Sequence, residues 1–365
     1  MSKKSRDRQQ QRDEQQRAPH SEGMSRRKAL GLTAALLAGG GIYYGIERET
    51  ESGTPSLNDA VKVYRKLRTE IETKARIAKE EGKPFRIFMA ENHSSTDALA
   101  YEMMIVDIAK RLNVAPLLWE LQQDQLSALS NNINVGNTLP LQRLERERSE
   151  KLFTFANTKD CKVVPIDTKY ANSDAYIADL RTRTGQKAAA LLNKYLQNHS
   201  GLQLSFDVGI SKDFQMQLIF GAHLPLEPDK KAAFNREMNT EYNKLMYDIY
   251  RERSVVMLPE VKNTQLYPNA LVLTGRNHSQ DIISSVRAVG NIVDVAFNLP
   301  DSDEGKSKDS DILPEVKAMQ DWAADPNNMI QCSSTKHFDL KKLPEFIERV
   351  CEKANSKEIS PGGRQ

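Results

Sequence analysis

Short apolar runs that alternate with helical segments restrict the fold of this chain more than any other feature of its sequence. The first three runs are FRIFMA at 85–90, APLLWEL at 115–121 and KVVPID at 162–167. Helical periods at 96–112 and 140–156 separate them, and strands joined by helices pair in parallel through right-handed crossovers. Two further runs, ALVLTG and IVDVAF, follow later in the chain, with a predicted helix at 279–289 between them. The sequence therefore predicts an α/β fold with a mostly parallel central sheet flanked by helices.

One segment between these runs has a different pattern. LQLSFDVG at 202–209 and FQMQLIFGAHLPL at 214–226 alternate apolar and polar residues, which is typical of paired antiparallel strands. A helix at 175–197 precedes them and a long one at about 230–262, ending or interrupted near Pro259, follows. We expect a small β-hairpin and helical insertion in the main fold.

Composition excludes several classes of protein. The 52 basic residues are nearly balanced by 49 acidic ones, so the sequence does not indicate a nucleic-acid-binding face. The three cysteines lie far apart without a CxxC pair, and their spacing indicates neither a zinc site nor a disulfide framework.

The N-terminal part differs sharply from the rest. Residues 1–23 are nearly all polar and are predicted to be disordered. In residues 24–46 the pair Arg26 and Arg27 precedes an apolar run at 29–46, an order typical of export signals and similar to the bacterial twin-arginine signal. The segment is either a cleaved signal or a retained membrane anchor, unless it forms a buried helix of the globular domain.

Retention is the favoured alternative. No A-x-A cleavage site follows the run, and Tyr43 and Tyr44 lie where aromatic residues anchor a helix at the membrane surface. The basic flank predicts a cytoplasmic N-terminus, which places the rest of the chain in the periplasm or outside a bacterium. The remaining predicted boundaries are a linker at 47–57, a single α/β domain at 58–354 and a disordered tail at 355–365.

Polar residues follow four of the predicted strands. The strand ends carry Glu91-Asn92-His93, then Glu120, then Asp167, and finally Gly275-Arg276-Asn277-His278. The carboxyl ends of parallel strands meet at one edge of a sheet, where ligands bind in such folds. Histidines and acids at one edge can hold a divalent metal or serve as a general acid and base.

These motifs together resemble a known group of proteins. FMAENH resembles the GExH-type box of the Tiki/TraB, ChaN-like haem-binding and erythromycin-esterase group, and VLTGRNHSQDI resembles its second, GxxH box. LLWEL is similar to the strand that ends in a lone Glu, and RERSVVM to the helical Arg-x-x-x-Met box, with Arg253 and Met257 in register. The chain departs from the pattern at Ala90, where the group usually has Gly.

The resemblance implies a site made from both histidine boxes. Carried over by position, the candidate catalytic residues are Glu91, His93, Glu120, Arg253 and His278. A divalent transition metal (Mn, Co or Zn) would be held by Glu91, His93, Glu120 and His278. Arg253 would bind an anionic group or stabilise an oxyanion, unless it is merely solvated on a charged helix.

The expected function is therefore hydrolysis of a peptide, ester or lactone bond by an exported or membrane-tethered protein. Its partners would be a small-molecule or peptide substrate and, through residues 29–46, a membrane. The alternative is a non-enzymatic protein of the ChaN-like type that binds haem, iron or another ligand, with Tyr101 or Tyr170 as a weak candidate for an iron ligand. Two further residues have alternatives of their own: Glu102 is expected to be solvated, with a role in the site as the alternative, and Trp119 either lines a pocket or fills the core.

Overall fold

The computed structural model of the chain describes residues 55–91, 95–131, 143–195, 206–210, 216–220, 227–300, 313–332 and 339–356. The N-terminal segment predicted to be disordered, the export segment, residues 92–94 with His93, and the residues from 357 onward lie outside these ranges. None of the described helices is long and apolar enough to cross a membrane.

Helices and strands alternate through most of the described chain. The helices are α1 (Leu57–Glu80), α2 (Thr96–Arg111), α3 (Gln123–Ser130), α4 (Arg143–Thr158), α5 (Ser173–Tyr195), α6 (Pro228–Lys262), α7 (Arg276–Val289), α8 (Pro314–Ala324) and α9 (Leu343–Asn355). The strands are β1 (Phe85–Glu91), β2 (Leu117–Trp119), β3 (Val163–Pro165), β4 (Phe206–Ile210), β5 (Met216–Phe220), β6 (Asn269–Gly275), β7 (Val293–Asn298) and β8 (Ile330–Gln331).

Six strands form one sheet in the order β3-β2-β6-β1-β7-β8, and every adjacent pair is parallel. All seven residues of β1 are buried, as expected for a central strand covered on both faces. The predicted α/β fold with a parallel sheet is thus confirmed. β4 and β5 pair separately as an antiparallel hairpin, with Phe206 opposite Phe220 and Ile210 opposite Met216, as the alternating pattern predicted.

Each face of the sheet has its own apolar core. On the first face Ile87 and Met89 of β1 pack with helices α1, α2, α4 and α9. On the second face Phe88 of β1 packs with the C-terminal part of α6 and with α7 and α8. Successive residues along a strand therefore point to opposite faces of the sheet and pack in different cores.

The neighbouring strands β1 and β6 mark the point where the connections change sides of the sheet. These strands are neighbours, and Glu91 at the end of β1 is in register with Gly275 at the end of β6. The helix that follows β1 packs on the first face, whereas the helix that follows β6 packs on the second. In open parallel sheets this change of side leaves a ligand-binding crevice at the carboxyl ends of the two strands.

Local signals account for the helix ends near the crevice. The Ser95 hydroxyl accepts a hydrogen bond from the Ala98 N–H at 3.2 Å and caps α2. α7 ends at Gly290, whose φ of +71° is a backbone conformation that glycine adopts without strain.

Three details differ from the sequence-based expectation. α7 begins at Arg276, three residues before the predicted 279, so His278 lies within its first turn. α6 continues through Pro259 to Lys262. Because proline has no N–H, the carbonyl of Val255 has no helical donor. Val255 is exposed, so water can bind this carbonyl instead. α3 and β8 were not predicted, since both are short.

Candidate functional site

The carboxylate of Glu120 is the centre of a polar cluster on the second face of the sheet. Its backbone N–H extends the β2–β6 ladder by donating to the Leu273 carbonyl at 2.9 Å, which fixes the residue beside the end of β6. Oε2 accepts the Gly275 N–H at 2.6 Å, and Oε1 lies 2.7 Å from an Arg253 nitrogen and 3.1 Å from His278 Nε2. A carboxylate, a guanidinium and an imidazole therefore meet near the carboxyl end of β6.

Arg253 joins Glu120 to a second acid. Its Nε and a terminal nitrogen lie 2.9 Å and 2.8 Å from Asp167 Oδ2. Asp167 comes two residues after β3, and its N–H donates to the Leu121 carbonyl, which holds it next to the Glu120 segment. Burial on its own lowers the pKa of Arg253, but the charges of Glu120 and Asp167 outweigh it, and the pKa lies above the ordinary value.

One face of α6 supplies the rest of the cluster. Tyr250, Arg253 and Ser254 are spaced i, i+3 and i+4, so their side chains project from the same side of the helix. The Tyr250 ring meets the His278 ring edge to face at a centroid distance of 5.6 Å. The Ser254 hydroxyl lies 2.8 Å from His278 Nδ1 and 3.0 Å from the Tyr250 carbonyl.

Both ring nitrogens of His278 are consequently engaged, and the ring is buried. When the imidazole is neutral, the Ser254 hydroxyl donates to Nδ1, and Nε2–H donates to Glu120. When the ring is protonated, Nδ1–H donates to Ser254, whose own proton turns to the Tyr250 carbonyl. A metal or substrate can therefore reach a ring nitrogen only by breaking one of these bonds.

Solvent reaches the cluster beside Arg253, whose side chain is 16% exposed. There Lys169 and Arg183 both bind Glu252, the latter through two contacts of 2.9 Å and 3.0 Å. The Tyr176 ring lies 5.9 Å from the Arg253 guanidinium carbon. The rim of the site is therefore rich in cations and aromatic rings.

Glu91 belongs to a different cluster, on the first face. Arg148 of α4 binds both Glu91 and Glu102 of α2 through one terminal nitrogen, and its Nε donates to the Ser95 carbonyl at 3.0 Å. All three charged side chains are buried. Arg148 therefore ties the end of β1 to the beginning of α2.

Burial changes the ionisation of this second cluster. It raises the pKa of Glu102 well above its ordinary value, and Glu102 Oε2 is buried without a hydrogen-bond partner among the described residues. It lowers the pKa of Arg148 to about 9, which leaves the guanidinium charged at neutral pH. The prediction that Glu102 is solvated was wrong, because its side chain is completely buried.

The structure thus divides the predicted site residues. It brings Glu120, Arg253 and His278 together, and it places Glu91 with Arg148 on the other face of the sheet. His93 lies outside the described residues. Sequence reasoning had noted Asp167 as a strand end without including it among the site residues, and it missed Ser254, for which its position one residue after Arg253 on α6 was the available signal.

The aromatic residues named for other roles lie in ordinary packing positions. Trp119 fills the core of the first face, and Tyr101 is completely buried on α2. The Tyr170 hydroxyl donates to Asp179 at 2.7 Å. The haem-binding alternative gains no argument from these two tyrosines.

The described donors do not fit a resident metal ion. Among the residues that the structure describes, no three His, Cys, Asp or Glu side chains are grouped as ligands. The facing oxygens of Glu120 and Asp167 are already bridged by the positive charge of Arg253. The metal site predicted from Glu91, His93, Glu120 and His278 stays a prediction, since His93 is not described.

Comparison of the chain with known protein families, with curated proteins and with solved structures finds no match.

Proposed function

We propose that the protein is an exported or membrane-tethered hydrolase that cleaves a peptide, ester or lactone bond at the Glu120 cluster. The observation that carries the proposal is the convergence of Arg253, His278 and the Gly275 N–H on one carboxylate beside the β1–β6 crevice. Hydrolysis needs a group that takes a proton from water and a positive charge for the developing oxyanion. Both kinds of group are present within this cluster.

The side chains suggest distinct roles. Glu120 takes the proton of the attacking water, and His278 holds or passes on a proton at Nε2, 3.1 Å from Glu120 Oε1. Arg253 is the partly exposed member of the cluster, so it can bind the carbonyl oxygen as charge develops there. Asp167 orients Arg253 and keeps it charged.

A hydrolysis assay with purified full-length protein tests this proposal. The probes are p-nitrophenyl butyrate, the lactone dihydrocoumarin and a fluorogenic peptide library. We expect turnover of one of them, and a fall in kcat of about 100-fold or more in Glu120→Gln and in His278→Ala, the size usual for loss of an acid–base group. The double variant should be hardly worse than either single one, because residues that act as a unit do not add.

Arg251→Gln is the matched control, because Arg251 lies on the same helix with its side chain 57% exposed and is expected to keep wild-type kcat. No turnover of any of the three probes, or full activity of the Glu120 and His278 variants, would refute the hydrolase. His93→Ala extends the test to the first histidine box. A Soret band in the absorbance spectrum of the same preparation would instead favour the haem-binding alternative.

The proposed location rests on the basic-then-apolar order of residues 24–46 and has its own test. Replacing Arg26 and Arg27 by Lys should block export if the twin-arginine interpretation holds, as measured by cell fractionation. Unchanged export of this variant would remove that interpretation, and a cytosolic wild-type protein would remove export altogether.

A further inference from the structure

The Arg253 guanidinium uses only two of its three nitrogens to bind acids. Its Nε lies 2.9 Å from Asp167 Oδ2, and its Nη2 lies 2.7 Å from Glu120 Oε1. Because a guanidinium is planar, Nε and Nη2 direct N–H bonds to one side, and Nη1 lies on the other. Among the described residues, Nη1 has no hydrogen-bond or ion-pair partner. The side chain is 16% exposed, so the N–H bonds of Nη1 are left for a ligand.

Tyr176 of α5 packs against this guanidinium. Its ring centroid lies 5.9 Å from the Arg253 guanidinium carbon, and on another side the ring meets that of Tyr170 at a centroid distance of 5.2 Å. Tyr176 belongs to the first turn of α5, where the Asn172 side chain accepts the Ala175 N–H at 2.8 Å. The capped helix start and the two ring contacts therefore fix Tyr176 beside Arg253.

The Tyr176 hydroxyl is available as a hydrogen-bond donor. The Tyr170 hydroxyl next to it donates to Asp179 at 2.7 Å, whereas that of Tyr176 has no hydrogen-bond partner among the residues that the structure describes. Burial raises the pKa of Tyr176 well above its ordinary value, and the opposing charge of Arg253 does not cancel this rise. The hydroxyl therefore keeps its proton throughout the neutral range and can donate it in a hydrogen bond.

We propose that the Tyr176 hydroxyl and Arg253 Nη1 together bind the oxyanion that forms from the substrate carbonyl. The inference rests on the proposed function and adds a catalytic residue to it. Water adds to the carbonyl carbon and gives a proton to Glu120, while the π electrons of the C=O bond move to its oxygen. Arg253 supplies a positive charge to that oxygen and Tyr176 a second, directed hydrogen bond. The C=O bond then forms again, and the leaving group departs with the proton.

Tyr176→Phe separates this role from a structural one, because it keeps the ring and its contact with Arg253 and removes only the hydroxyl. A donor to the oxyanion acts in the transition state and not on the bound substrate. We therefore expect kcat to fall about 100-fold, the size usual for loss of one such donor. KM should change by less than about threefold, since ground-state binding is retained.

The experiment measures kcat and KM of full-length wild type and Tyr176→Phe with the three hydrolysis probes, and binding of n-butylphosphonate by isothermal titration calorimetry. The tetrahedral phosphonate anion resembles the oxyanion intermediate, so its affinity for Tyr176→Phe should be at least about tenfold lower than for the wild type. Tyr195→Phe is the matched control. Tyr195 ends the same helix, and its hydroxyl donates to Glu237 at 2.6 Å, so both measurements should match the wild type.

Two results would overturn the inference while leaving the hydrolase in place. One is wild-type kcat in Tyr176→Phe when Glu120→Gln is inactive, and the other is equal phosphonate affinity of wild type and Tyr176→Phe. If no probe is hydrolysed, the proposed function fails, and calorimetry decides on the pair of donors by itself. Weaker phosphonate binding to Tyr176→Phe would then support an anion site at Tyr176 and Arg253, and equal binding or none would refute it.

Discussion

Two clusters, each with an arginine between two acids, lie on opposite faces of the sheet, on either side of β6. In each, an arginine from a flanking helix binds a carboxylate at a strand end and a second acid: Arg148 binds Glu91 and Glu102, and Arg253 binds Glu120 and Asp167. The charged side chains of the first cluster are at most 1% exposed, whereas that of Arg253 is 16% exposed. The first cluster joins β1 to α2 and α4, and the second meets a histidine.

This difference separates a structural role from a chemical one. A charge that solvent and substrate cannot reach can hold elements together but cannot act on a substrate, whereas the Arg253 cluster has an open side and a group that can carry a proton. We therefore expect Glu91, although it belongs to the first histidine box, to matter mainly for folding. Glu120, which has no histidine beside it in sequence, is expected to matter for chemistry.

Replacing Arg148 by Met should have the largest effect on stability. It removes the guanidinium that pairs with buried Glu91, and breaking a buried pair in this way costs about 3–5 kcal/mol. Urea unfolding followed by circular dichroism measures the change. Arg146→Met on the same helix is the matched control, because Arg146 pairs with Glu150 at the surface and such pairs contribute about 0–1 kcal/mol.

The same substitution at the second cluster sharpens the comparison. Arg253→Met should destabilise the protein by less than Arg148→Met does, since water can reach part of the vacated space and hydrate the two acids. Equal losses of stability in the two variants would mean that the clusters do not differ in the way proposed.

The two faces also mark the limit of what the sequence could predict. The apolar runs and their helical spacers correctly predicted a parallel sheet. Glu120 and His278, both noted as following strands, lie 3.1 Å apart through Oε1 and Nε2. Glu91 lies two residues after Met89 and therefore points to the same, first face of the sheet. Glu120 lies two residues after Leu118 and points to the second face. A strand that is buried on both faces is apolar at every position. Its sequence therefore does not show which of its residues point to the first face and which to the second.

Arg148 could not be recognised for a related reason. It lies in RLERERSEK, where charged residues surround it and indicate a solvated helix, yet its side chain is completely buried. The partner that explains its burial, Glu102, lies 46 positions away. Arg253 was easier to single out, because its motif resembled a known box and Asp167 and Glu120 had both been recognised as strand ends.

The ionisation of Glu102 gives the next largest effect, as a dependence of stability on pH. Its pKa is raised by burial in the folded protein, so the folded state keeps a proton that the unfolded state loses above about pH 4.5. Stability contributed by this group is thus complete below that pH and declines as pH rises toward the folded-state pKa, by up to about 1.4 kcal/mol per pH unit. Glu102→Gln cannot lose the proton and should lack this decline.

Urea unfolding of wild type and Glu102→Gln at pH 5, 6, 7 and 8 measures the effect. Between pH 5 and pH 8 the wild type should lose stability relative to Glu102→Gln, and a difference that is constant over this range would show that Glu102 is ionised in the folded protein. Glu150→Gln, at a surface position on α4, serves as the control.

The smallest expected effect concerns Ser254, and it tests whether the second cluster is organised around a proton. Ser254→Ala removes a buried hydrogen bond to His278 Nδ1 and should cost about 1–2 kcal/mol of stability.

The more informative measurement is the ¹⁵N NMR signal of the His278 ring. In the neutral wild type the proton should reside on Nε2, because the serine hydroxyl donates to Nδ1 and Glu120 accepts from Nε2. Without the serine that preference should weaken and Ser254→Thr, which keeps a hydroxyl, should restore it. If the alanine variant retains the Nε2 proton fully, Glu120 alone orients the ring, and the serine contributes packing to the cluster and nothing to its proton chemistry.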